Sequence, residues 1–301
     1  MTVPAVSIFI PTWNDERDLA ACLDSLAQLN YPHERVEIVV WDNASRDATQ
    51  AVVRERFAAM ERLGWMGLHL ITSERNEGSY VPYNRAAEAL APQTRYILGL
   101  DADVELAPDL LRQLVAAAGD RVAVVGARSV YFDRPQRTAH GAGRVGRWTA
   151  RYGERDARSA IDCDYVIGCC WLLDRTVFQA VGGFDPDFFL NHWEVEYCLR
   201  VKTRGFRVRY EPRAVVRHKI VPGGTRNPER VYYLYRNKLL LIDRTRWFPR
   251  RRFTRAACTV MAGARIAARA LAGAAAPETR AAVRGLRDGL RGRVGERGIV
   301  P

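Results

Sequence analysis

The sequence is poor in several features that would have settled its class at once. Its six cysteines (22, 163, 169, 170, 198 and 258) form no C-x-x-C pair, so neither a zinc knuckle nor a thioredoxin-like redox motif is spelled out. The N-terminus, Met1-Thr2-Val3-Pro4, lacks the basic and apolar regions of a secretory leader. No apolar run reaches the ~20 residues that a spanning helix needs, because Arg265 and Arg269 interrupt the only candidate, between Ala256 and Ala276. These absences predict free thiols in a reducing cytoplasm and a chain that does not cross a membrane. Lysine is scarce too: Lys202, Lys219 and Lys238 are the only ones, and arginine carries the rest of the positive charge.

That charge is uneven. The chain of 301 residues has a formal net charge of +12, yet between Arg244 and Arg297 fourteen arginines stand against three acids, Glu278, Asp288 and Glu296. The remainder is close to neutral, which excludes a basic nucleic-acid-binding face across the whole fold and confines any polyanion partner to the C-terminal piece. With 48% hydrophobic residues, the chain has material for one large α/β unit and an appended segment.

What is present is an alternation. Val6–Ile10 forms a β-rich run stopped by Pro11, and Leu19, Leu23 and Leu26 follow at helical spacing; a second strand covers Val36–Trp41. A helix over Ala48–Leu63, a strand at Leu68–Ile71, a helix around Tyr83–Leu90 and an apolar strand at Tyr96–Leu100 continue the series. Strand-helix-strand alternation predicts an α/β fold with an open, mostly parallel sheet, whose ligands bind beyond the carboxyl ends of the strands. Those ends carry Pro11, Thr12 and Asn14; Asp42, Asn43 and Ser45; Asn76 and Gly78; and Asp101 and Asp103. From Val122 to about Pro212 shorter strands, glycine-rich turns and a helix near Glu194–Arg204 predict a second half closing over the first.

Asp-x-Asp occurs three times, at 101–103, 162–164 and 185–187, and only the first follows an apolar strand. There both carboxylates reach the crevice where a pyrophosphate would lie, and hard oxygen ligands suit Mg²⁺ or Mn²⁺. A helix beginning near Pro108 offers the purely structural reason for acids at that place.

With these pieces in order, the chain resembles the family 2 glycosyltransferases of the GT-A fold, non-processive and rhamnosyltransferase-like, over about residues 4–240. The resemblance rests on Val6-Ser7-Ile8-Phe9-Ile10-Pro11-Thr12-Trp13-Asn14, Val39-Val40-Trp41-Asp42-Asn43-Ala44-Ser45-Arg46-Asp47, Asn76-Glu77-Gly78, Leu98-Gly99-Leu100-Asp101-Ala102-Asp103 and Val181-Gly182-Gly183-Phe184-Asp185. It implies a GT-A catalytic unit over 1–240, with a nucleotide-sugar half (1–121) and an acceptor half (122–240), followed by a basic helical extension over 241–301. It further implies that Asp42 reads the nucleotide base, and that Pro11, Thr12 and Asn14 frame its pocket together with Asn43, Asn76 and Asn84. Asp101 and Asp103 would engage ribose, phosphate and metal, His218 would complete the metal shell, and Glu194 would be the catalytic base of an inverting transfer. The family's usual Glu-Asp-x-Asp appears here as Trp193-Glu194-Val195-Glu196, a departure at three of the four positions. Glu196 reads as structural, paired to Arg200 one helical turn on. Arg236-Asn237 belongs to a recurrent family segment without an assigned role.

The expected donor is a UDP- or dTDP-sugar, and the expected acceptor a glycan or lipid-linked hydroxyl in cell-surface polysaccharide synthesis. Competing classes are a nucleotidyltransferase, which should show a Gly/Arg-rich N-terminal phosphate loop, and a non-catalytic polyanion binder. Gly141–Gly146 spells G-x-G-x-x-G without a strand before it or an apolar helix after it, and reads as a flexible loop. Arg246-Trp247 resembles the end of a processive-synthase motif, but Asp243 stands where glutamine would. Cys169-Cys170 lies in an apolar run and reads as buried, inert thiols. Beyond Pro277 a helix over Glu278–Val294 would carry Val283, Leu286, Leu290 and Val294 on one stripe and Arg280, Arg284, Arg287 and Arg291 beside it. Such a basic amphipathic helix suits peripheral contact with the inner face of a plasma membrane, or packs its apolar stripe on the catalytic unit.

Overall fold

The structure is a computed structural model that describes residues 3–78, 80–220, 227–273 and 276–296. Met1, Thr2 and Arg297 lie outside these residues. The N-terminal half alternates as the spacing predicts: β1 (Ala5–Thr12), α1 (Leu19–Leu26), β2 (Val36–Asp42), α2 (Thr49–Met60), β3 (Gly67–Thr72), α3 (Tyr80–Ala89) and β4 (Thr94–Leu100). These four strands are parallel neighbours in the order β4-β1-β2-β3. Both faces of this block are buried, so its strands read as near-continuous apolar runs, with alternate residues supplying two cores. Val6, Ile8, Ile10, Ile38 and Val40 pack under α1 and α2, while Phe9, Val39, Trp41 and Ile97 pack under α3. Each such side chain contributes roughly 1.5–3 kcal/mol on full burial.

The chain goes on through β5 (Val104–Leu106), α4 (Leu110–Ala117), β6 (Val122–Tyr131), β7 (Arg134–His140), β8 (Ala142–Val145), β9 (Tyr152–Arg155) and β10 (Ile161–Cys163). Then come β11 (Cys170–Asp174), α5 (Arg175–Val181), α6 (Trp193–Thr203), β12 (Arg207–His218), α7 (Pro228–Arg244), α8 (Arg251–Leu271) and α9 (Ala276–Leu290). Residues 122–212 are expected as a second half closing over the first, but most of their strands widen the same sheet, which runs β10-β12-β6-β11-β4-β1-β2-β3 with β5 on β12 and β7 on β6, while β8 and β9 form a separate two-stranded sheet. β11 enters antiparallel between β4 and β6, so the sheet is mixed, with its parallel block at the N-terminal side.

Two further expectations are corrected. Residues 141–146 are not a flexible loop: Ala142–Val145 is β8, paired antiparallel with β9. Its glycines serve close approach, since a Cβ on Gly141 would stand 2.5 Å from the Arg155 carbonyl oxygen and one on Gly143 2.4 Å from the Tyr165 ring. The expected apolar stripe of α9 packs only in part. Leu286 and Val294 lie against the core, Val283 and Leu290 are exposed, and Ala281, Ala282, Gly285 and Gly289 are buried. Small residues let α9 lie almost backbone to backbone on α7, where a Cβ on Gly285 would meet the Tyr232 carbonyl oxygen at 2.3 Å. Asp288, buried in that contact, accepts a hydrogen bond from Tyr232 at 3.0 Å and pairs with Arg293 at 3.1 Å.

All six cysteines are free and buried. The Asp162-Cys163-Asp164 and Asp185-Pro186-Asp187 acids are engaged structurally, with Arg209 and Lys202 and with Arg244 respectively. Among the described residues no helix is long and apolar enough to cross a membrane.

Candidate active site

The site lies at the carboxyl ends of the parallel strands. β4 ends at Leu100, and the chain turns through Asp101-Ala102-Asp103 into β5, fixed by the Asp101 N–H donating to the Cys169 carbonyl at 3.0 Å. The antiparallel register of β5 on β12 sets Val104 opposite His218, which brings the imidazole alongside Asp103. His218 Nε2 lies 3.2 Å from Asp103 Oδ1 and 4.0 Å from Asp101 Oδ2. One ligand atom from each of the three residues falls within 4.8 Å of the others.

Electrostatics at this cluster are those of a site built around more positive charge than the protein supplies. Desolvation and the neighbouring Asp103 carboxylate push Asp101 up to about 6. Burial also works against the charge on Asp103, but the hydrogen bond from His218 holds its carboxyl below the usual range. His218 is buried, which by itself favours the neutral ring, yet its bond to Asp103 raises it to about 11. Its Nδ1 has no hydrogen-bond partner within bonding distance among the described residues, though the Cys169 thiol also acts on the ring. Two carboxylates and one imidazole fit a divalent cation, which would offset the charge of the carboxylates there.

Glu194 sits on the first turn of α6. Two consecutive residues before that helix, Asn191 (φ 61°) and His192 (φ 69°), are left-handed, a strained lead-in for non-glycine residues. Trp193, standing where the family pattern has an acid, explains how the turn is held. It is buried against Phe184 (4.8 Å between centroids), Trp171 (5.5 Å) and Tyr83 (5.7 Å). Glu194 Oε2 is buried and has no partner among the described residues. Burial pushes the Glu194 carboxyl up to about 7, with the Asp101 charge acting in the same sense and His140 and Arg230 opposing it. Glu196 is the structural acid, bonded to Arg200 at 2.8 Å.

Beyond the ends of β1 and β2 two loops cross. Asn14 (φ 57°) and Ala44 (φ 62°) are both left-handed, and the loops clasp each other, with Asn14 N–H donating to Ser45 Oγ and Arg46 N–H to Asn14 Oδ1, both at 2.8 Å. Pro11 stands opposite Trp41 in the β1–β2 register, whose last pair is Thr12 with Asp42, and Thr12 Oγ1 donates to Asp15 at 2.8 Å. Asp42 is fully buried and accepts from Ser45 N–H and from Gln50 Nε2 (2.7 Å). Asn43 donates to the Gly78 carbonyl at 3.2 Å, and Asn76 accepts from Gly78 N–H at 2.9 Å, so these two shape the loop after β3. Asn84 lies elsewhere: its amide exchanges two bonds with the Phe184 backbone, at 2.8 and 2.9 Å, and clamps α3 to the Gly182-Gly183-Phe184 turn.

Sequence reasoning missed His140 and Tyr152. His140, at the end of β7, stands 6.4 Å from the His218 ring and bonds to Glu154 at 3.3 Å. Tyr152 packs edge-on to His192 at 5.3 Å and feels the Glu194 charge. Neither has a motif around it, and only the strand pairing brings them to the site.

A pair of carboxylates and a histidine at the tip of a parallel block, with a buried carboxyl that feels the Asp101 charge, make this cluster a candidate cation site. The model of glycosyl transferase family 2 matches residues 7–182, and the chain belongs to that family. Over 223 residues, 68% of this chain, it is 30% identical to the O-antigen biosynthesis protein RfbC of Myxococcus xanthus, of which it covers 16%. It is 24% identical over 246 residues to the dTDP-rhamnosyl transferase RfbF of Shigella flexneri, covering 77% of this chain and 78% of that one. The chain spans between 16% and 52% of the length of the first three curated relatives. Among solved structures, the mannosyltransferase PcManGT of Pyrobaculum calidifontis, in complex with GDP-Man and Mn²⁺, superposes with a TM-score of 0.66. It covers 96% of this chain and 88% of its own, at 19% identity, a likeness of GT-A fold.

Proposed function

We propose that the protein is an inverting glycosyltransferase that moves one sugar from a nucleoside-diphosphate sugar to an acceptor hydroxyl in cell-surface polysaccharide synthesis. The observation that carries this reading is the convergence of Asp101, Asp103 and His218 from two separate chain segments, opposite the unpartnered Glu194 Oε2. Asp103, Asp101 and His218 would hold Mg²⁺ or Mn²⁺, which when bound supplies neutralisation of the departing diphosphate. Glu194 takes the proton of the acceptor hydroxyl while that oxygen attacks the anomeric carbon. The bond from that carbon to the diphosphate oxygen breaks on the opposite face, so the centre inverts. His140 and Arg230 face Glu194 and favour its charged form, which a base requires.

For the donor, Asp42 is the group that would accept from the base. A carboxylate has about four acceptor sites, of which Ser45 N–H and Gln50 take three, so one lone pair is left for an N–H such as uracil or thymine carries, once a shift of the loops uncovers the fully buried carboxyl. Pro11, Thr12, Asn14, Asn43 and Asn76 shape the pocket around it, with the exposed Trp13 indole at its mouth. Asn84 we assign to positioning, since its amide is engaged by Phe184.

The test is thermal stabilisation by UDP, dTDP and GDP, each with and without Mn²⁺, on the wild type and on Asp103→Ala. A metal-dependent rise with a pyrimidine nucleotide that the variant loses is the expected result. A rise with no nucleotide would refute the donor site, and a rise with GDP alone would refute the base assignment.

A further inference from the structure

A cavity of about 700 Å³ lies apart from the strand tips, between residues 149–152, α7 and α8. His192 and Tyr152, which respectively precede and face Glu194, form part of its wall, so it adjoins the base from the acceptor side. Its floor is apolar, with Leu239, Met261 and Leu286 among the lining side chains.

The charged groups around it are Arg151, Lys238, Arg265 and Arg269, and its lining contains no carboxylate. None of the four has an ion pair among the described residues. Lys238 donates to the Ala150 carbonyl and lies over the Tyr152 ring at 3.2 Å. Burial and the Arg265 charge together push its ammonium down to about 7, the Cys258 thiol alone opposing them. A half-buried ammonium beside a second cation, with no acid in the lining, is costly, and an anion in the cavity would relieve the repulsion between Lys238 and Arg265.

α8 adds a second observation. Phe253, Val260 and Leu271 are 61%, 71% and 89% exposed and recur on one face of that helix, with Ala256, Ala264 and Ala267 between them. At 100° per residue this stripe borders the face that carries Met261, Arg265 and Arg269 to the cavity. From Arg244 to Gly273 there are eight arginines and no acid.

We propose that this cavity is the binding site for a lipid phosphate, the anionic linkage of a lipid-borne acceptor. Its phosphate is held by Lys238, Arg265 and Arg269, and its chain leaves over the apolar stripe of α8 into a membrane surface. The proposal rests on the glycosyl-transfer reading and narrows its acceptor to phosphate-linked lipids. It also moves the membrane-facing element from α9, whose buried face is spent on α7, to α8.

The experiment compares dodecyl phosphate, dodecanol and inorganic phosphate as ligands of the full chain, by thermal shift and tryptophan fluorescence, Trp148 being exposed beside Thr149. The variant is the double substitution Arg265→Glu/Arg269→Glu, at positions without a partner to lose. Stabilisation by UDP with Mn²⁺ is measured on the same samples as a check of fold and donor site. Expected is binding of dodecyl phosphate well above that of the other two ligands, weakened about tenfold or more in the variant. The nucleotide response should persist unchanged. Equal binding of dodecyl phosphate by variant and wild type, or no preference over inorganic phosphate or dodecanol, would overturn the site. So would equal sedimentation of both proteins with phosphatidylglycerol vesicles and with phosphatidylcholine vesicles containing dodecyl phosphate. A lost nucleotide response in the wild type would instead count against the donor reading, and the two failures are thereby distinguished.

Discussion

At the scale of single residues, Glu194 carries the sharpest consequence. Its carboxyl is sheltered, its Oε2 has no partner, and burial raises it to about 7. The groups facing it are Asp101, His140, Arg230, Tyr152 and Tyr165. A base must be ionised, so kcat/KM should rise with pH and level off above about 7, and a flat profile across that region would exclude Glu194. Replacing it with glutamine should lower kcat by about 10² to 10⁴ while nucleotide binding is retained. The same shift has the opposite sign for stability. A carboxyl raised in the folded state stabilises the fold while it is protonated, below about 4.5, and that contribution is lost as pH rises through about 7. Glu194→Gln should therefore melt higher than the wild type above that pH and equal to it in acid, which scanning calorimetry at two pH values would measure.

At the scale of elements, the lead-in to α6 connects structure to that chemistry. Asn237, fully buried in α7, donates to the carbonyls of Leu190 and Asn191 at 2.7 and 3.0 Å, and Arg236 donates to Asn237 Oδ1 at 2.7 Å and to the Asp187 carbonyl at 3.0 Å. The recurrent Arg-Asn segment thereby acquires a physical role, since it fixes the two left-handed residues that aim Glu194. Asn237→Ala should reduce kcat more than it alters the nucleotide-induced shift, and should cost about 1–3 kcal/mol in stability for the carbonyls left bare. An unchanged kcat would refute the positioning role.

β4 makes a second case. A Cβ on Gly99 would lie 2.5 Å from Trp171 Nε1 and 2.6 Å from the Tyr83 hydroxyl, inside the aromatic cluster beneath Trp193. Gly99→Ala should destabilise by about 1–3 kcal/mol, read from a urea titration; tolerance of the methyl would mean the cluster is looser than it stands here. These elements also mark what was legible in the sequence. The parallel block was, because a strand buried on both faces is an apolar run stopped by polar tips, as Val36–Asp42 and Thr94–Leu100 are. Asp101, Asp103 and His218 were named, though what joins them is the register of β5 on β12, which no local pattern displays. β8 was hidden because its glycines answer to Tyr165 and Arg155, partners distant in sequence. His140 was hidden for the same reason, since its nearness to His218 passes through β6.

At the scale of the whole molecule, the C-terminal segment is tied to a site far from it in sequence. The amphipathic pattern of α9 put Val283, Leu286, Leu290 and Val294 on one stripe, of which Leu286 and Val294 pack on the core; Gly285 and Gly289 are what allow the helix to lie on α7, and this contact covers Tyr232 and Tyr233. Past α9 the chain returns to the α6 lead-in: Gly295 N–H donates to the Asp187 carbonyl at 3.1 Å, and Arg236 donates to the Gly295 carbonyl. Asp187 is thus held from both sides, five residues before the left-handed His192. Truncation after Leu290 removes this tie and leaves the α7–α9 contact. It should lower kcat while the metal-dependent nucleotide shift stays, with only a small fall in melting temperature. Gly285→Val instead pries α9 from α7, and should lower the melting temperature by about 2–4 °C for each kcal/mol lost. If the truncated protein turned over at the full rate, the tail would be a stabilising strap alone, and the aim of Glu194 would depend on Arg236 and Asn237 without it.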